Sequence, residues 1–200
     1  RGCGCRARYE RRSHVVAAAR RLFAEALSAL QTVGWSVVSE RSADPLLTPA
    51  QLHRYAEAPS VLLECLATLS VCHNRFKTAW LYTHADYARE DERSIRWDEC
   101  ERLSLSSAET AEDLLLIRSF WDSHLPFAMA CHSDYEYLAI DLRPGNSFGA
   151  VVHGLGPEFE ATSQLFANFE GLLRGVIEQV RQPRERQSLW PFLLGDSELG

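Results

Sequence analysis

A run of three short strands separated by tight turns, over residues 121–154, constrains the fold of this chain more than any other feature. Side chains alternate in character over residues 135–142, with Leu138 and Ile140 on one side. A period of two is typical of a β-strand with one buried face. A turn is predicted next, because Pro144 fixes its own φ and the glycine after it accepts a positive one.

Short apolar segments on either side predict two further strands. Residues 125–130 read LPFAMA, and Pro126 suits the first positions of a strand. Residues 149–153 read GAVVH and are β-branched at their centre, as strands often are. Because short turns join these segments, the strands are expected to pair antiparallel. A fourth strand is predicted over residues 158–166.

Helical patterns precede and follow this sheet. Residues 14–33 carry an apolar stripe at helical spacing, and Thr48 followed by a proline is a typical helix start. Ser107 and Asn168 are the expected N-caps of two later helices. The predicted helices after the first are 49–57, 59–69, 108–123 and 169–180. The apolar alternation over residues 94–105 is interpreted as a strand.

Helices first, then an antiparallel sheet, then a final helix indicate an α+β fold. We expect a helical N-terminal half, a central antiparallel sheet of about four to six strands and a closing C-terminal helix. A chain of 200 residues suits one domain, predicted here over residues 14–182. A basic, disordered extension is predicted at 1–13, and a C-terminal tail at 183–200, whose Trp190 and Phe192 can dock on the domain.

The charge is distributed unevenly along the chain. Residues 1–22 hold seven arginines and one glutamate, a net charge of +6. The whole chain carries −6, so the rest carries −12. A basic segment before an acidic body is typical of an extension rather than of a core element. An acidic body also favours a basic partner.

The composition argues against membrane-spanning and nucleic-acid-binding proteins. No run approaches the roughly 20 apolar residues that a membrane span needs. Basic residues are twenty arginines and one lysine, a bias that a GC-rich coding sequence explains better than phosphate binding does. The six cysteines lack the spacing of a disulfide framework and are interpreted as thiols. We therefore expect a cytoplasmic protein with neither a membrane nor a nucleic-acid partner.

One conceivable catalytic set arises from the predicted strands, namely Cys131, His153 and Asp141. The position of Asp141 before a turn, however, favours the capping of backbone N–H groups. Gly154-Leu155-Gly156 lacks the third glycine of a dinucleotide-binding loop, and the two adjacent Cys-His pairs lack the spacing of zinc ligands. We therefore expect no catalytic residues, no cofactor and no metal.

Acidic and aromatic residues on and beside the predicted strands form a candidate partner-binding surface. Exposed acids attract a basic partner, and aromatic residues are frequent in interface hot spots. The same residue types also occur as solvated surface and as core packing. The candidate partner-binding residues are Asp134, Tyr135, Glu136, Tyr137, Glu158 and Glu160.

The order of these segments resembles the SUKH superfamily, which is known from fungal cell-wall regulators and bacterial toxin-immunity proteins. The resemblance covers about residues 20–180 and rests on short motifs in a fixed order. The matching residues are Trp80, Asp86, Tyr87, Trp121, Pro126, Phe127, Ala128, Tyr135, Leu138, Ile140, Asp141, Leu142, Pro144, Gly145, Gly149, Val151, Val152, Glu158, Glu160, Asn168, Phe169, Leu172 and Leu173. Residues 70–76 depart from it, because the family often has an Asn-Gly-Gly turn there.

The resemblance implies a non-enzymatic protein that acts by binding another protein. Its most specific implication is an immunity protein that neutralises a cognate toxin, such as a basic toxin domain, by direct binding. Two alternatives stay open: a general interaction or scaffold module in cell regulation, and an enzyme whose site has no recognised motif. No feature of the sequence fixes the oligomeric state.

Overall fold

The computed structural model describes residues 3–40, 42–88, 95–182 and 189–194. Helices and strands alternate in the first half, and four consecutive strands and two helices make up the second. In chain order the elements are α1 (Cys3–Thr32), β1 (Ser36–Ser39), α2 (Pro49–Arg54), α3 (Ser60–Leu66), β2 (Leu69–His73), β3 (Ala79–Leu81), α4 (His84–Ala88), α5 (Glu99–Ser107), α6 (Ala111–Asp122), β4 (His124–Cys131), β5 (Tyr135–Asp141), β6 (Val151–Leu155), β7 (Ser163–Phe166), α7 (Phe169–Arg181) and α8 (Leu189–Leu194).

The strands form one antiparallel sheet of seven strands in chain order, from β1 at one edge to β7 at the other. This confirms the predicted α+β fold, with α7 as its closing helix. The strand number is higher than the four to six expected, in part because β2 was assigned to the end of a helix and a loop. The continuous apolar run before β2 does not distinguish a buried helix from a buried strand.

The centre of the sheet is the β4–β5 hairpin, whose strands pair from His124 opposite Asp141 to Cys131 opposite Tyr135. A bulge lies between Pro126 and Ala128. It lets Phe127 face α7, where its ring lies 5.9 Å from that of Phe169. Bulges of this kind re-aim a side chain without ending the ladder.

Helices cover both faces of this hairpin, so the expectation of a single buried face is wrong. On one face α1, α7 and α8 pack over the sheet, with Phe23 and Phe169 at a ring distance of 6.1 Å. On the other face Trp121 of α6 packs on Tyr137, with the ring centroids 4.9 Å apart. Tyr137 and Ile140, which point to opposite faces, are both fully buried.

Two predicted helix starts are confirmed by their capping bonds. The Thr48 hydroxyl accepts a hydrogen bond from the backbone N–H of Gln51, and the Gln51 side-chain oxygen accepts one from the backbone N–H of Thr48, which completes a capping box. Asn168 accepts from the backbone N–H of Gly171 at the start of α7. Side chains that compete for the first free N–H groups fix these ends locally, which is why the sequence identifies them.

Two local predictions are wrong. Residues 99–107 are helical rather than extended, since Cys100 and Ser104 form the buried side of α5 at a spacing of four. Ser107 ends that helix, and Thr110 instead caps α6 by a reciprocal pair of bonds with Asp113. Residues 94–105 carry apolar alternation for too few positions to outweigh this helical spacing.

The two ends of the chain differ from the predicted boundaries. The backbone of residues 3–13, assigned to a disordered extension, is helical as the first part of α1. In the predicted C-terminal tail, α8 places Phe192 and Leu193 in the core. The rest of that tail, at 183–188 and 195–200, lies outside the described residues.

Truncation of Ile140 tests the burial of β5 on the face that α1, α7 and α8 cover. Ile140→Ala leaves a cavity between two layers and should lower the free energy of unfolding by about 2–5 kcal/mol. Leu155→Ala is the control, because Leu155 lies on neighbouring β6 and is 44% exposed. Its cost should stay within about 0.5 kcal/mol. Urea denaturation compares the two variants, and equal losses would contradict the assigned burial.

Candidate protein-interaction surface

The turn between β4 and β5 presents two of the six candidate residues. Asp134 and Tyr135 are exposed there, beside an open cleft of about 350 Å³ that both of them line. The backbone N–H of Gly156 donates to the carbonyl oxygen of Tyr135 over 2.9 Å. The loop of residues 156–160 therefore lies directly beside this turn.

The sequence predicts a strand that includes Glu158 and Glu160. That prediction is wrong for both residues, because they lie in the loop of residues 156–160. Glu158 is exposed. Glu160 is half-buried, and its carboxylate accepts a hydrogen bond of 3.1 Å from the indole N–H of Trp121. Because Trp121 is itself buried, this bond holds the Glu160 carboxylate in one place at the surface.

Two of the six residues do not contribute to this surface. Tyr137 is fully buried, and its hydroxyl donates to the carbonyl oxygen of Phe159. Its ring occupies the space that a side chain at Gly154 would need, since an added Cβ there would lie 2.3 Å from the ring. Glu136 points to the opposite face of the sheet, where its carboxylate pairs with Nε2 of His153 over 2.8 Å. The prediction that Tyr137 contacts a partner is therefore wrong, and Glu136 lies away from this surface.

A groove that the sequence had not indicated lies on the same side of the molecule, between α5, α6 and the loop of residues 156–160. We call it the α5–α6 groove; it encloses about 550 Å³. Its apolar lining includes Leu116, Ile117, Phe120 and Pro157. The sequence does contain one indication of an exposed apolar surface here. The run LLLI at residues 114–117 is longer than the apolar stripe that one side of a helix can bury.

Carboxylates surround the α5–α6 groove. Glu109, Asp113 and Glu160 line it, and none of the described residues that line it is Lys or Arg. The Thr110 side chain and backbone N–H donate to the Asp113 carboxylate and lower its pKa, so this acid is ionised at neutral pH. Together with exposed Asp134 and Glu158, these acids place five carboxylates in and near the groove.

A second open cleft, of about 440 Å³, lies over β2 and β3. Trp80 and Val71 form apolar parts of its wall, and Lys77 and Asp86 bring charges of both signs. Such a mixed lining gives no preference for the charge of a ligand. The α5–α6 groove is therefore the more specific of the two.

The conceivable set of Cys131, His153 and Asp141 is not assembled. Cys131 and Asp141 lie at opposite ends of the β4–β5 ladder, and His153 is paired with Glu136. Burial raises the pKa of the Cys131 thiol to about 12, so it carries no thiolate at neutral pH. Within the described ranges, no group of three or more His, Cys, Asp or Glu side chains is placed to hold a metal ion.

The expectation of no catalytic residues took no Gly-x-Ser-x-Gly pattern to be present, which is wrong, because residues 145–149 read GNSFG. In hydrolases this pattern places a nucleophilic serine between a strand and a helix, but here the turn joins strands β5 and β6. The Ser147 hydroxyl bonds to the carboxylate of Asp141 rather than to an imidazole. Its neighbourhood is therefore a capped turn with an acid, a histidine and an arginine beside it.

Asp141 is the centre of this polar cluster. Burial opposes its ionisation, but the bonds donated by Arg143 and Ser147 outweigh this effect and lower its pKa. His124 stacks on Phe120 with the rings 3.9 Å apart and donates through Nδ1 to the Phe120 carbonyl oxygen. Its Nε2 lies 3.9 Å from the Asp141 carboxylate, and burial lowers its pKa, so the imidazole is neutral at pH 7.

In comparisons with known proteins, no protein-family model, curated protein or solved structure matches the chain. In the part of the chain that the structure describes, no helix combines the length and apolar character of a membrane span. The interaction surface is therefore interpreted from its own residues.

Ser147 provides a direct test for hydrolase chemistry. We expect a fluorophosphonate probe to leave Ser147 unmodified at pH 7–8, because the serine bonds to the ion-paired carboxylate of Asp141 and not to an imidazole, the usual base that activates a serine. Intact-mass spectrometry measures the modification, with a known serine hydrolase as the positive control. Labelling that disappears in Ser147→Ala would contradict this and indicate an active nucleophile.

Proposed function

We propose that this chain is a non-enzymatic protein-binding domain whose acidic side engages a basic protein partner. The observation that carries the proposal is the grouping of exposed Asp134, Tyr135 and Glu158 beside the α5–α6 groove. Apolar and aromatic contacts supply affinity at such surfaces, and the surrounding carboxylates steer a basic partner.

The specific form of the proposal is an immunity protein that acts in the cytoplasm and neutralises a cognate toxin by occluding its active site. It is supported by the resemblance of the sequence to the SUKH superfamily and by the −12 charge of the chain after residue 22. A fold alone does not determine function, so this form rests on the family resemblance together with the charge.

A toxin gene next to the gene for this chain would supply the partner for the first test. Co-expression of this chain should restore growth to cells that produce the toxin, and the two purified proteins should form a complex in isothermal titration calorimetry. Growth rescue without a direct complex would contradict neutralisation by binding. Loss of both would refute the immunity proposal.

Charge reversal tests the role of the acidic side. Asp134→Lys with Glu158→Lys should slow association with the partner by about tenfold at low ionic strength and flatten its salt dependence. Folding stability should change little, since exposed charges contribute about 0–1 kcal/mol each. Stopped-flow measurements at several salt concentrations provide the rates.

The matched control is Glu40→Lys with Asp44→Lys, which changes the net charge equally at exposed positions after edge strand β1. Equal slowing by both double variants would show that only net charge matters. Unchanged rates in both would remove the acidic side from recognition.

A further inference from the structure

Helix α6 exposes more apolar surface than a solvated helix needs. The structure describes all of its residues, and Trp121 is the one that it buries. Leu115 is 67% exposed and Leu116 is 63% exposed. Adjacent leucines at this exposure are unusual for a helix that packs on a sheet, so each is a candidate contact for another molecule.

Only one of these two leucines faces the α5–α6 groove. Asp113, Leu116, Ile117 and Phe120 line it at a spacing of three and four residues, which places them on one side of α6. Leu115 is not among the lining residues. Ser107 of α5 and Pro157 of the 156–160 loop form the walls.

The groove is held in shape by bonds to the core. Phe120 stacks on buried His124, and Trp121 beside it donates to Glu160 on the opposite wall. Asp113 is fixed by the capping box with Thr110. A preformed site loses less entropy on binding than one that must be ordered first.

The lining favours one kind of occupant. Its apolar residues form a strip between two helices, which suits the apolar side of a third helix. Glu109, Asp113 and Glu160 bring three negative charges to its edges. These charges repel phosphates and carboxylates and attract Arg and Lys.

We propose that the α5–α6 groove binds an amphipathic helix of a protein partner, with aliphatic side chains on Leu116, Ile117 and Phe120 and with Arg or Lys opposite Glu109, Asp113 and Glu160. This inference rests on the proposed function and identifies the part of the basic partner that is recognised.

The first experiment uses fluorescein-labelled synthetic helices of about 18 residues, a length that supports helix formation. Each peptide carries Leu at i, i+3, i+4 and i+7 and Arg at other positions. The peptides differ in where the arginines lie relative to the leucine side of the helix. Scrambled peptides of equal composition are the peptide controls. Fluorescence anisotropy should show saturable binding to the full chain for at least one amphipathic peptide and weaker binding for its scrambled form. No saturable binding across the panel overturns the proposal.

Two neighbouring leucines give a matched pair of variants. Leu116→Ser should raise the dissociation constant of the bound peptide about tenfold, whereas Leu115→Ser should leave it unchanged. Both side chains are exposed, so both variants should keep the thermal midpoint of the wild type. Glu109→Lys should weaken binding more than Glu112→Lys, which reverses a nearby exposed acid in the first turn of α6, outside the groove. Equal effects within each pair overturn the assignment to the groove.

A second experiment separates this inference from the proposed function. If the toxin partner binds Leu116→Ser as tightly as the wild type but binds the Asp134/Glu158 variant slowly, the proposed function stands and the groove proposal is refuted. If the helix peptide binds in the groove but the toxin encoded by the adjacent gene does not bind the protein, the immunity proposal is refuted and the groove proposal stands. Analytical ultracentrifugation of the protein by itself should show a monomer. Self-association that Leu116→Ser abolishes would instead make a second copy of the chain the occupant of the groove.

Discussion

Burial of the β4–β5 hairpin on both faces is the constraint on which the remaining structure depends. Such a hairpin has no side that water can cover, so each face requires a layer of helices. Phe127 and Leu138 face α1, α7 and α8, whereas Met129 and Tyr137 face the layer that contains α4–α6. The helices α4–α6, which lie between β3 and β4 in the chain, therefore contribute to the hydrophobic core.

The same constraint connects the core to the proposed interaction surface. Trp121 contacts buried Tyr137 with one part of its ring and donates its N–H to Glu160 at the surface. Gly154 leaves room for the Tyr137 ring, because a side chain there would overlap with it. A residue in the sheet thus determines where a surface carboxylate lies. The negative charge beside the α5–α6 groove is set by core packing.

Features determined by near neighbours in the chain were predictable, and features determined by distant contacts were not. The caps at Thr48 and Asn168 depend on bonds within three residues, and the sequence identified both. Tyr137 was placed at the surface because alternation shows that two faces differ but not that a second helical layer covers one of them. The groove depends on how α5, α6 and the 156–160 loop meet, and only the LLLI run at 114–117 hinted at it.

Helices α1 and α7 lie side by side although one opens the described chain and the other follows the last strand. Phe23 and Phe169 meet at the sheet, and Arg181 of α7 pairs with Glu25 of α1 over 2.7 Å. During synthesis the sheet can pair strand by strand, yet only α1 can cover the apolar face around Phe127 until α7 has left the ribosome. A nascent chain at that stage exposes part of the apolar face of the sheet, and exposed apolar surface of this kind is what chaperones bind. Because α7 follows all seven strands in the chain, its half of this cover is added only after the whole sheet has been synthesised.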